Sequence, residues 1–183
     1  SFRIEDKLLI VPENKEAFFN YLERNNSKKL YEDRFISSIY FDNENLDMFK
    51  DSEEGTVPRK KIRLRSYGEK PHSSTENLLE TKISSAEGRF KISKITKQSK
   101  KYFKYGLLDN DYGVCLPKLK VTYLRSYYRI KNFRLTLDLN IKYHSINLLQ
   151  KSNLEKKDNY FAVEIKTEKV SSVNEILKNF PFQ

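Results

Sequence analysis

Cysteine is almost missing from this chain of 183 residues: Cys115 stands alone. That excludes an intrachain disulfide and any zinc site built on paired cysteines, and it fits a reducing compartment. The two histidines, His72 and His144, lie far apart. A histidine-based metal site is therefore not expected, and each reads as a surface or structural residue. Five glycines are too few and too scattered to cradle a phosphate with backbone amides, and no GxxxxGKS/T, GxGxxG or zinc-finger spacing occurs. Tryptophan is absent. No run approaches the roughly 20 apolar residues that span a bilayer, and because Ser1-Phe2-Arg3 enters a strand pattern directly, a signal peptide is not expected in this sequence.

Charge, by contrast, is plentiful. Lys and Arg total 35 against 25 Asp and Glu, a formal net charge of +10. Such a balance favours an anionic partner: nucleic acid, an acidic lipid surface or phosphorylated small molecules. Twelve Phe and twelve Tyr supply enough contact area to argue against disorder. The length suits one domain with a real core.

The charges are patterned. They alternate with apolar residues in Arg3-Ile4-Glu5-Asp6-Lys7, Lys61-Ile62-Arg63-Leu64-Arg65, Glu80-Thr81-Lys82 and Glu164-Ile165-Lys166. A period of two marks a strand with unlike faces. Arg3, Glu5, Lys7, Lys61, Arg63, Arg65, Glu80, Lys82, Arg134, Asp138, Glu164 and Lys166 share the charged parity. A dry core cannot hold charge at that density. These faces either look outward from a sheet packed on helices or line a hydrated tunnel.

The expected elements are a strand over 2–11, a helix from Pro12 to Arg24, a strand over 34–42 and a short helix around Leu46, Met48 and Phe49 capped by Asp42 or Asn43. A loop is expected over 51–58, strands over 59–67, 77–84 and 88–95, and a turn-rich break over 68–75. A polar helix should cover 96–108. Lys131-Asn132 should join strands 119–130 and 133–143 as a hairpin, and a polar insertion over 150–159 should lead to the last strand, 160–167. A final helix is expected over 172–179. About eight strands and four short helices make an α+β fold. An eight-stranded antiparallel barrel would have room for a small ligand.

Arg63 and Arg65, two apart on one strand, point the same way, and a pair of planar forks suits bidentate contact with phosphate oxygens. Lys7 and Lys82 could add point charges, with Arg125 and Arg134 closing the clamp. A polyanion binder has no electrostatic reason to set Glu5, Glu80, Asp138 and Glu164 among its cations. An enzyme using Mg²⁺ or Mn²⁺ does, because hard ions bridge carboxylates to substrate phosphates. Glu164 is the first candidate ligand and Glu5 the second. The alternative is that these acids make cross-strand salt bridges. Cys115, beside Leu116-Pro117, should pack rather than react. Tyr123, Tyr127 and Tyr128 suit a strand core or barrel wall better than base stacking.

The segments FRIEDKL (2–8), ISSIYFDN (36–43), KIRLRSYG (61–68), LETKIS (79–84), VTYLRSYY (121–128), RLTLDLNI (134–141) and AVEIKT (162–167) resemble the catalytic domain of the vacuolar transporter chaperone (VTC) family, part of the triphosphate tunnel metalloenzyme superfamily. They occur in the family's order across nearly the whole chain. The resemblance implies a single triphosphate tunnel domain over 1–183, an antiparallel β-barrel with short flanking helices. It also implies a need for Mn²⁺ or Mg²⁺ and synthesis of inorganic polyphosphate from the terminal phosphate of ATP. The implied phosphate-binding residues are Lys7, Arg63, Arg65, Lys82, Arg125, Arg134 and Lys166, with Arg63, Arg65, Lys82, Arg125 and Glu164 catalytic and Glu164 on the metal. The chain ends at FPFQ, before the family's serine-lysine pair, so truncation at the C terminus is expected. Two alternatives stay open: a tunnel-fold triphosphatase, and a non-catalytic domain binding polyphosphate or inositol phosphates. Nucleic acid is not the expected partner. The expected location is the cytoplasm or the cytoplasmic face of a membrane complex.

Overall fold

Where charged and apolar residues alternate, the chain forms strand, and most of the longer strands bury their apolar side. The computed structural model describes residues 4–68, 77–146 and 154–167. In chain order these form β1 (Ile4–Ile10), a 3-10 turn (Pro12–Asn14), α1 (Lys15–Arg24), β2 (Lys28–Asp42) and α2 (Asp47–Glu54). Next come β3 (Arg59–Gly68), β4 (Asn77–Ser85), β5 (Gly88–Thr96), α3 (Ser99–Tyr105) and β6 (Leu107–Asp109). The last are β7 (Gly113–Ile130), β8 (Phe133–Ser145), β9 (Glu155–Lys157) and β10 (Phe161–Thr167). The expected helix over 172–179 and most of the 68–75 break, with His72, lie outside the described residues.

The chain divides into two compact units. The first comprises Ser1–Arg34, Tyr123–Ile141 and Lys157–Gln183. Its strands run in the order β1-β10-β8-β7, and the antiparallel register sets Lys7 opposite Glu164 and Glu164 opposite Thr136. Successive side chains on a strand alternate faces. Ile10, Leu135, Leu137, Phe161, Val163 and Ile165 therefore share one side, where they are buried with Phe18, Tyr21 and Leu22 of α1. Those three recur at helical spacing, and Phe18 meets Phe161 edge to face with ring centres 5.7 Å apart.

The second unit comprises Phe35–Thr122 and Lys142–Lys156, with β2-β3-β4-β5 in order and β6 pairing with β7. Phe41, Met48, Ile62, Leu64 and Cys115 form its core. Cys115 packs as expected, and burial pushes its thiol up to about 11, so it is inert at neutral pH.

The architecture is predominantly antiparallel sheet with three short α-helices among the described residues. Eight strands lie on the main ladder path, and β6 and β9 are three-residue additions. Among the described residues β1 pairs only with β10 and β5 only with β4. The sheet is antiparallel as the expected barrel requires, and among the described residues no strand pairing closes it.

Local chemistry moved some expected boundaries. The helix expected around Leu46 begins at Asp47 and continues to Glu54, so half of the expected 51–58 loop is helical. Asp42 fixes that start: its carboxylate accepts from the amides of Met48 (3.0 Å) and Phe49 (2.9 Å). The helix expected over 96–108 shrinks to Ser99–Tyr105, because Thr96 completes β5 and Leu107–Asp109 pairs with β7. Gly106 ends it at φ 77°, where a Cβ would lie 2.6 Å from the Cys115 carbonyl oxygen.

Candidate functional site

The charged side of each unit carries its own cluster. In the second unit, Arg63 on β3 faces Tyr40 on β2 and Glu80 on β4, and Arg65 faces Ser38. Ile62 and Leu64, of opposite parity, enter the core. Glu80 is fully buried, at 0% exposure, and the two arginines are nearly so, at 8% and 6%. Arg63 Nε donates to Glu80 Oε2 at 2.6 Å, and its Nη1 donates to the Tyr40 hydroxyl at 3.2 Å. Arg65 Nε donates to Ser38 Oγ at 2.9 Å and lies 3.9 Å from Glu80 Oε2. Lys91 of β5 is ion-paired with the other oxygen, Oε1.

Burial alone would raise the Glu80 carboxyl, but the Lys91 hydrogen bond and the charges of Arg63 and Arg65 outweigh it and hold the group below the ordinary 4.5. Glu80 thus acts as the counter-ion that lets two buried guanidinium groups share a face. Lys82 stands opposite Lys61 and Lys91 on that face and is exposed.

In the first unit the cluster centres on Glu164 of β10. Lys166 Nζ lies 3.3 Å from Glu164 Oε1. Arg125 Nη2 lies 4.0 Å from Oε2, to which Thr136 Oγ1 donates at 3.4 Å. Arg125 grips Asp138 with both prongs, Nε to Oδ1 at 2.6 Å and Nη2 to Oδ2 at 2.7 Å, and its guanidinium carbon sits 5.2 Å from the Tyr123 ring centre. Burial lowers the affinity of Arg125 for its proton. Asp138, Tyr123 and Glu164 more than reverse that, so its pKa is raised. Lys7 stands opposite Glu164 in the ladder, and Glu5 and Arg134 both stand opposite Lys166.

The expected site residues thus fall into two sets: Arg63, Arg65 and Lys82 in the second unit, and Lys7, Arg125, Arg134, Glu164 and Lys166 in the first. Glu80 and Asp138 make the cross-strand salt bridges weighed against a metal role. The sequence reading passed over Lys91, although its KISK alternation lay in an expected strand. It also missed Ser38 and Tyr40, whose place beside the arginines only the β2–β3 register reveals. His144 lies 3.3 Å from Glu155, as suits its expected structural role.

Among the described residues no three His, Cys, Asp or Glu side chains converge as a ready-made metal site. Glu164 is bordered by Lys166, Arg125 and Thr136, while Asp138, on the same face, is taken up by Arg125. A divalent ion taking one carboxylate from protein and its other ligands from phosphate and water would fit there; a cage built wholly from protein would not.

Two solved structures share this architecture. The chain matches a candidate adenylate cyclase from Vibrio parahaemolyticus at 14% identity and TM-score 0.54, covering 98% of this chain and 84% of that one. It matches the PH1819 protein of Pyrococcus horikoshii at 17% identity and TM-score 0.61, covering 100% and 92%. The fold is the triphosphate tunnel fold. The chain belongs to the VTC domain family, whose model matches residues 2–113 and 111–181. No curated protein sequence matches it. Among the described residues no helix is long and apolar enough to cross a membrane.

Proposed function

We propose that the chain is a metal-dependent phosphotransferase that builds inorganic polyphosphate from a nucleoside triphosphate such as ATP. The observation that carries this reading is the Glu164 carboxylate among Lys166, Arg125 and Thr136. A domain that only binds polyanions gains nothing from a negative charge placed there. Membership of the VTC family supports the same reading.

Arg63, Arg65 and Lys82 bind phosphate oxygens, and Glu80 holds the two guanidinium groups in position. Lys7, Arg125, Arg134 and Lys166 neutralise phosphate charge around Glu164. Arg125, with two donors committed to Asp138, acts chiefly through its charge and its remaining donors. A Mn²⁺ or Mg²⁺ ion held by Glu164, with Glu5 as second candidate, would polarise the phosphoryl group and offset developing charge. The terminal oxygen of a phosphate chain bonds to the γ-phosphorus as the bond to the leaving diphosphate breaks. In-line arrangement and charge neutralisation supply the catalysis.

The test compares the parent chain with Glu164→Gln for ATP turnover in Mn²⁺ and for tripolyphosphate affinity. Turnover should fall by about a hundredfold or more, as when one transition-state stabiliser is removed, while affinity is kept or increased. A variant that turns ATP over at the parent rate would refute the role of Glu164.

A further inference from the structure

The β3–β5 sheet of the second unit has another side, turned away from Glu80 and the two arginines, and its outer end is uncovered. Successive residues of β5 alternate sides, so Phe90 and Ile92 fall on the side opposite Lys91, with Ile83 and Thr81 of β4 as ladder partners. Ile62, Leu64 and Leu79 share that apolar side and pack in the second unit's core. The core stops there, because Phe90 and Ile92 keep 53% and 61% of their surface exposed. α3 lies on the same side, since Tyr102 and Leu107 pack against the cluster that Leu79 joins. It leaves Phe103 and Tyr105 exposed, and just beyond it Leu108 and Val114 stand opposite each other, exposed as well.

Charge on this surface is of one sign. From Gly88 to Tyr105 the chain carries seven Lys and Arg and no Asp or Glu. Lys94, Lys97, Lys100, Lys101 and Lys104 are exposed, and none of them is ion-paired among the described residues. Lys91, on the charged side, is by contrast held by Glu80, and Lys60 by Asp109 and Asp111. Lys104 sits over the Tyr105 ring, 5.0 Å from its centre, a contact that leaves its donors unspent.

Apolar side chains set among cations that lack counter-ions distinguish between anionic partners. A nucleic acid or a phosphate polymer would use the lysines and leave the aliphatic Ile92, Leu108 and Val114 in water. A bilayer with anionic headgroups meets both sets: the lysines lie among the headgroups, and the apolar side chains enter the boundary with the acyl chains. The amphipathic ring of tyrosine favours the same boundary. We propose that β5, α3 and the β6–β7 pair form a docking surface for an anionic lipid bilayer. This surface lies on the other side of the sheet from Arg63, Arg65 and Glu80, so lipid and phosphate chains engage different residues.

The test is co-sedimentation with vesicles of phosphatidylcholine alone and of equal parts phosphatidylcholine and phosphatidylserine, at low and physiological salt. The parent chain should sediment with the mixed vesicles, less so at the higher salt, and stay in solution with phosphatidylcholine alone. Lys97→Gln/Lys100→Gln/Lys101→Gln should lower the partition coefficient by about tenfold or more, since each lysine near an anionic surface contributes severalfold. Ile92→Ser/Leu108→Ser should lower it by about tenfold at both salts, through lost apolar burial. Both variants change exposed positions and should melt with the parent and keep its tripolyphosphate affinity. Partitioning that the Ser pair leaves unchanged would make the surface a general polyanion binder and overturn bilayer docking. An equal loss of tripolyphosphate affinity in the Gln triple, or equal sedimentation with both vesicle types, would overturn it too. Failure to sediment with either vesicle, or self-association without vesicles that the Ser pair abolishes, would also refute it, the latter giving the surface to a second copy.

Discussion

Replacing Glu80 with glutamine removes one negative charge from a place where three cations converge, and the structure sets the size of the effect. Glu80 is at 0% exposure and Arg63 and Arg65 are below a tenth, so the two guanidinium groups would lose their common counter-ion without gaining water. Breaking a buried ion pair from one side costs about 3–5 kcal/mol. The low end applies here. Glutamine keeps the shape and one acceptor, and the Lys91 side chain, at 48% exposure, can turn to solvent. A loss of about 3 kcal/mol corresponds to a fall in Tm of about 6–12 °C for a chain of this size. Because Arg63 and Arg65 are proposed phosphate ligands, an added polyanion should replace the missing charge and raise the variant's Tm more than the parent's. Thermal unfolding with and without tripolyphosphate reads both effects. A variant that melts with the parent, or gains no more than the parent from tripolyphosphate, would refute the view of Glu80 as counter-ion to a phosphate-binding pair.

Acid should act on the same contacts. Glu80 and Asp109 are held below their ordinary values of 4.5 and 3.8, Glu80 against burial by Lys91, Arg63 and Arg65, and Asp109 against burial by hydrogen bonds from the Asp111 amide and Lys60. A depressed carboxyl contributes stability above its unfolded-state value and loses it as pH falls through the folded one. Denaturant titrations should thus show a plateau above about pH 5.5 and a decline below the ordinary carboxylate values; Glu80→Gln should decline less steeply. Gly106→Ala should cost about 1–3 kcal/mol through the strained φ and the clash with the Cys115 carbonyl, read as a lower urea midpoint. Leu137→Ala should cost about 3 kcal/mol by opening a cavity in the first unit's core, again read in urea. A change below about 1 kcal/mol would mean that core can collapse around the missing side chain.

Much of this architecture was legible because period two is a strong signal on strands buried on one side. The parity that set Arg63 and Arg65 apart from Ile62 and Leu64 also set Glu164 and Lys166 apart from Val163 and Ile165, and both cores follow it. Boundaries failed where tertiary contacts overrode local character. The run Lys28–Asp33 is too polar to announce a strand, yet it extends β2 beyond the expected start at Arg34. Asp42 moves α2 toward the C terminus by capping amides six and seven residues on. Partnerships were not legible, since a single chain does not state its cross-strand register. That Arg125 grips Asp138 and that Glu80 draws in Lys91 depend on which strands are neighbours and in what alignment.

The central claim, that this VTC-family chain transfers phosphate to phosphate, meets its most direct test in the sizes of its products. ATP, Mn²⁺ and a short polyphosphate primer are incubated with the chain, and the polymer is resolved by gel electrophoresis, with Glu164→Gln alongside. The account predicts primers that lengthen with time in the parent chain and stay unchanged in the variant. Free phosphate released without lengthening would contradict synthesis and make the protein a triphosphatase. Tight polyphosphate binding with neither product, unaltered by Glu164→Gln, would contradict catalysis and leave a binding domain.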